Sequence, residues 1–80
     1  MSRFNIKTRV VVTGELATWT RTAQENMRGV HGIIEDFAPD YHAPGRPAYL
    51  VALDQPVKVN NISTFDKAWL DEEDLSKEIP

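Results

Sequence analysis

The sequence predicts an all-β fold, a small closed barrel of five short strands. Three observations point there. Short runs of β-branched and apolar residues recur along the eighty residues, bounded by glycine, proline and Asx turn signals. Helical spacing is weak by comparison: Leu16–Met27 places apolar residues at it, but its threonines weaken helix propensity. A chain this short has a marginal core, and a closed sheet limits exposed edges while making the most of it.

The elements follow in order. Arg9–Thr13 (RVVVT) is short and β-branched and predicts the first strand, ended by Gly14. The stretch from Leu16 to Met27 is expected to be a long loop holding one helical turn near Thr22–Asn26, with Gly29 placed to close it. Val30–Phe37 (VHGIIEDF) is the second strand, and Gly32 within it marks a bulge or a close backbone approach. Ala38–Pro47 carries three prolines and a glycine and reads as a loop. Ala48–Leu53 is the third strand, Asp54-Gln55-Pro56 a turn, and Val57–Ile62 the alternating fourth strand. Trp69 and Leu70 look strand-like. Asp71–Asp74 is expected to form one helical turn before the last short strand at Leu75–Ile79, with Asp71 as N-cap and early carboxylates at the turn's positive end. The competing expectation is one helix over Thr64–Lys77. Five strands, a long first loop and a late single turn make the layout of an SH3-like barrel.

Composition narrows the function classes. The chain contains no cysteine, which excludes a disulfide and a thiolate metal site within it. The segment MSRFNIKTR has no apolar run of signal or membrane-span length, so a cytoplasmic location is expected. Asn61-Ile62-Ser63 is a formal glycosylation triplet, read here as chance. Residues 1–34 carry five basic and two acidic side chains, whereas residues 66–78 carry six acidic and two basic ones. The acidic tail and a net charge of −3 count against nucleic acid as the main partner. No phosphate-binding loop or nucleophile–base pair stands out. His31 and His42, with Glu35, Asp36 and Asp40 nearby, lack the convergence a metal site needs and read as separate surface histidines.

An ordered series of residues resembles a known family. Arg3-Phe4 followed by Arg9-Val10, Thr20-Arg21, Arg28-Gly29-Val30-His31-Gly32-Ile33-Ile34-Glu35, the loop residues Pro39-Asp40, Ala43, Gly45 and Pro47, then Tyr49-Leu50-Val51, and Trp69 with Asp71–Leu75 fall in one order. The series is similar to the C-terminal SH3-like barrel domain of nitrile hydratase β subunits and of thiocyanate hydrolase. It covers nearly the whole chain. There are departures. Lys7-Thr8 stands where the family has Gly-Asp, and Trp19 where a histidine precedes Thr-Arg. The spacer before Arg28-Gly29 is one residue longer, and Gln55-Pro56-Val57 replaces a Glu-Leu-Trp.

The resemblance implies a β-type subunit of a metalloenzyme that adds water across a nitrile. The cobalt or iron ion would be held by oxidised cysteines on an α-type partner chain and act as Lewis acid or hydroxide source. The cofactor would therefore not belong to this chain. By the resemblance Arg21 takes the position of the arginine that hydrogen-bonds those cysteine oxygens, a task suited to a planar, permanently charged fork of donors; the alternative is a solvated loop arginine. A second small β-type subunit would supply the helical half that eighty residues lack. Trp19 is a candidate partner-binding anchor or a core residue. Arg28 is a candidate partner-binding residue or a brace for the turn before Gly29, with Glu35, Asp36 or a neighbouring subunit as its counterpart. Trp69 is expected in the core. The alternative is a stand-alone barrel binding protein or nucleic acid, with Trp19, Arg21 and Arg28 as its patch.

Overall fold

A computed structural model of the chain describes residues 3–41 and 43–79. The elements run β1 (Arg9–Val12), α1 (Arg21–Met27), β2 (His31–Ala38), β3 (Ala48–Lys58), β4 (Thr64–Asp71), a 3-10 turn (Glu72–Asp74) and β5 (Leu75–Lys77). The five strands form one antiparallel sheet in the order β4-β3-β2-β1-β5. This is the all-β, five-stranded layout expected from the sequence, with a long first loop and a helical turn ahead of the last strand, but the sheet does not close on itself: among the described residues β4 and β5 do not pair. Alternating residues of the strands converge inside: Val10 and Val12 of β1, Ile34 of β2, Tyr49 and Val51 of β3, and Leu70 of β4. Leu16, Ala23 and Met27 close the core from the first loop and its helix.

Several boundaries differ from expectation, each for a local reason. Asp54-Gln55-Pro56 is not a turn, and Val57–Ile62 is not a separate strand. Both belong to β3 and the hairpin that follows it, and the fourth strand is Thr64–Asp71. The proline is tolerated because the β3–β4 register jumps from Ala52↔Lys67 to Val57↔Phe65, leaving Leu53–Pro56 bulged out of the ladder. Asn60 makes the turn, its Oδ1 accepting from the Ile62 and Ser63 amides at 2.9 and 2.7 Å. The alternative C-terminal helix does not form. Trp69 is also not core. It points to the outer face of β4, while its neighbours Ala68 and Leu70 point in.

The helical segment is longer than one turn. Thr20 caps α1, its Oγ1 accepting from the Ala23 amide at 3.2 Å. Arg28 ends the helix, and Gly29 turns the chain out at φ +88°, a conformation that favours glycine. Gly32 proves to be a close approach: a Cβ there would lie 2.6 Å from the Ala52 carbonyl oxygen and the Val51 Cγ1. The β2 register shift lies further on, between Ile34 and Asp36. Asp71 does occupy the N-cap position of the 3-10 turn, but its side chain makes no capping bond; its Oδ2 accepts from Arg46 at 3.4 Å. Among the described residues, no helix is long and apolar enough to cross a membrane.

Candidate protein-docking groove

Strand alternation builds the site. On β4 the outward residues are Phe65, Lys67 and Trp69, and Leu50 of β3 pairs across from Trp69 on the same face. Two further aromatic rings reach in from loops. Tyr41, in the β2–β3 connection, stacks on Trp69 with ring centroids 4.9 Å apart and planes 16° from parallel. Trp19, at the end of the first loop, meets Phe65 edge to face at 6.1 Å. Between these pairs lies a groove of about 400 Å³, to which Thr18 and Ala68 also contribute. Tyr41 is 45% exposed and Phe65 38%, so two large rings face solvent at its rim. Lys67 is held at its side by Glu35, Nζ to Oε1 2.8 Å, and this bond raises the lysine's pKa.

The Trp19 wall is fixed by hydrogen bonds that close the first loop. The Trp19 amide donates to the Leu16 carbonyl at 2.9 Å. Gln24 of α1 donates to the carbonyls of Leu16 and Trp19 at 3.0 and 3.1 Å. Thr20 donates its hydroxyl to the Val59 carbonyl at 2.7 Å. At the loop's root, Thr13 and Gly14 donate to the Asp74 carbonyl, and the Leu16 amide donates to Asp74 Oδ1 at 3.2 Å. Asp74 is buried, and burial pushes its pKa up.

The structure separates the three sequence candidates. Trp19 lines the groove, half-buried, packing partly on the core and partly on Phe65. Arg28 braces the turn, but its counterparts are not Glu35 or Asp36. Its Nε and Nη2 donate to the Gly14 and Glu15 carbonyls, both at 3.1 Å. Arg21 opens α1, exposed, and its side chain makes no hydrogen bond or ion pair among the described residues. The patch of Trp19, Arg21 and Arg28 is therefore not one surface of free cations. The residues missed from sequence are Tyr41, Phe65 and Gln24. Phe65 was detectable, because Phe65, Lys67 and Trp69 alternate with Ala68 and Leu70; Tyr41 lies in a loop whose course the sequence does not dictate.

The histidine and carboxylate candidates do not come together. His31 Nδ1 pairs with Glu78 at 2.6 Å, Glu35 with Lys67, and Asp40 accepts from the Gly45 amide. His42 lies outside the described residues. Among the described residues no three metal-binding side chains converge. The chain matches no known protein family, no curated protein and no solved structure.

Proposed function

We propose that this chain is a non-catalytic docking barrel that binds another protein through the Trp19–Phe65–Trp69–Tyr41 groove. The observation that supports it most is four aromatic rings held in two pairs around an apolar gap, two of them exposed at its rim. Aromatic anchors in a fixed groove are the usual centre of a protein interface. Holding Trp19 rigid beforehand lowers the entropy lost on binding.

The resemblance to nitrile hydratase β subunits gives the partner a sharper form: an α-type chain bearing cobalt or iron, assembled with a second small β-type subunit. In that assembly Arg21 is the free guanidinium available to oxidised-cysteine oxygens, and the enzyme's hydration chemistry belongs to the partner. A nucleic-acid module is the weaker alternative, since Arg28 is engaged by backbone carbonyls and the net charge is −3.

The test is purification of the tagged chain from its native host, followed by native mass spectrometry and metal analysis. The expected result is a complex containing a cobalt- or iron-bearing chain, lost with Trp19→Ala and retained with Arg21→Lys at reduced activity. Recovery of the chain alone, without metal, overturns the subunit reading.

A further inference from the structure

The groove takes half of its lining residues from the last strand of the sheet. β4 is the last strand of the sheet and pairs with β3 only. Among the described residues, no hydrogen bond outside that ladder reaches the backbone of Thr64–Leu70; the Lys67 side chain is tied to Glu35. From the sheet the groove takes the outward Phe65, Lys67 and Trp69 of β4, with Ala68 between them, and Leu50 of β3 opposite Trp69. On its far side stand Thr18 and Trp19 of the first loop. The outer half of the edge, Thr64–Lys67, is exposed.

We infer that the occupant is an extended polypeptide segment of a partner protein, added to the sheet as a strand beside β4. This rests on the docking reading and gives it a chemistry. The segment's backbone pairs with the free amides and carbonyls of β4, and every second side chain, apolar, enters between Trp19 and Trp69. A second copy of the chain fits the edge poorly. Two-fold pairing of β4 with itself about Asp66 or about Lys67 sets like charges directly opposite each other. Nucleic acid lacks the alternating amides and carbonyls that match a strand edge and meets a chain of net charge −3, and a folded flat surface would leave the edge's hydrogen-bonding groups unpaired.

The experiment selects linear peptides from a random display library against the full chain. The enriched peptides are then resynthesised with N-methyl groups on alternate backbone amides, in both frames. Strand addition predicts apolar residues at every second position. One methylation frame should be tolerated, and the other should weaken binding by about tenfold or more. The amide protons of the Thr64–Lys67 segment should exchange more slowly in the complex, and Trp19→Ala should weaken binding by a similar factor. Equal binding in both frames overturns strand addition while leaving the groove as a docking site. Binding that ignores Trp19→Ala overturns both. A library that enriches nothing overturns strand addition, and recovery of the metal-bearing partner then decides the docking reading separately. Sedimentation of the chain alone gives the last arm: a dimer with protected β4 amides makes a second copy the occupant and overturns the assignment.

Discussion

The sheet has two ends, and they are treated differently. At one end β5 is three residues long and is followed by Glu78, which accepts from Arg9 and pairs with His31. Arg9 also forks onto Asp54, Nη1 to Oδ1 2.9 Å. That edge is short and ends in charge at Lys77 and Glu78, a common way of keeping an edge from pairing. At the other end β4 is eight residues long and flanked by four aromatic rings, with Asp66 and Lys67 as its only charged residues before Asp71. A fold that blunts one edge and dresses the other with aromatics has two unlike ends, and the docking proposal assigns contact to the second. The contrast depends on the seam where the chain returns from β4 to β5, because that seam holds both edges and the Trp19 loop in place.

Breaking the seam has the largest effect. Gly14 lies against Asp74, and a methyl group at Gly14 would fall on the Asp74 Cα and Oδ1. Gly14→Ala is expected to cost about 3 kcal/mol, the upper range for overpacking against backbone. Urea unfolding measures it; a cost below about 1 kcal/mol would mean that the first loop is not seated on the 3-10 turn. Next comes Tyr49, whose buried ring packs on Phe4 and Phe37. Its hydroxyl accepts from the Arg3 and Phe4 amides at 2.8 and 3.0 Å and donates to Glu72 at 2.8 Å. Tyr49→Phe keeps the ring and strands those groups, for an expected loss of about 2 kcal/mol. Amide exchange should quicken most at Phe4, beyond the uniform increase that the lost global stability brings to the core strands.

The third test sharpens the comparison at the aromatic end. Trp19 is only half-buried and contributes one face to the core. Trp19→Ala should therefore cost about 1 kcal/mol, well below a fully buried tryptophan, while partner binding falls by tenfold or more. A stability loss as large as that of Tyr49→Phe would make Trp19 a core residue and remove the argument for a docking wall.

The same contrast explains what the sequence discloses. Strand chemistry is local, so RVVVT, VHGIIEDF and AYLVAL are legible, as are Gly29 at positive φ and Gly32 at a close approach. Pro56 misled because a bulge absorbs it, and a bulge is set by the register of two strands rather than by one segment. Trp69 misled because size suggested core, while alternation with Ala68 and Leu70 assigns it outward. The groove is less legible still. Trp19, Tyr41 and Phe65 are separated along the chain and meet only after the sheet curls. No periodicity reveals that the Arg28 guanidinium meets the Gly14 and Glu15 carbonyls.

The smallest expected effect lies at the charged end and is a matter of pH. The bond from His31, then that from Arg9, holds the Glu78 carboxyl below its usual range, and Arg9 does the same to Asp54. Carboxyls with lowered native pKa values add stability above their unfolded values, and that contribution is lost as pH falls through the native ones. These groups are exposed, so the gain is modest and weakens with salt. Asp74 has the opposite sign. Burial raises its pKa, so the fold prefers its neutral acid; its penalty is present at neutral pH and relieved as pH falls through the raised value toward the unfolded one. Two variants separate the terms. Glu78→Gln should lower the unfolding midpoint slightly at pH 7, with the difference from the parent vanishing in strong acid and shrinking at high salt. Asp74→Asn keeps an acceptor for the Leu16 amide and should raise the midpoint at pH 7, with its advantage fading in acid but persisting in salt, because desolvation is not screened. If both variants shift stability in the same direction at pH 7, the seam and the blunt edge do not differ as argued, and the barrel's polarity rests on the aromatic groove alone.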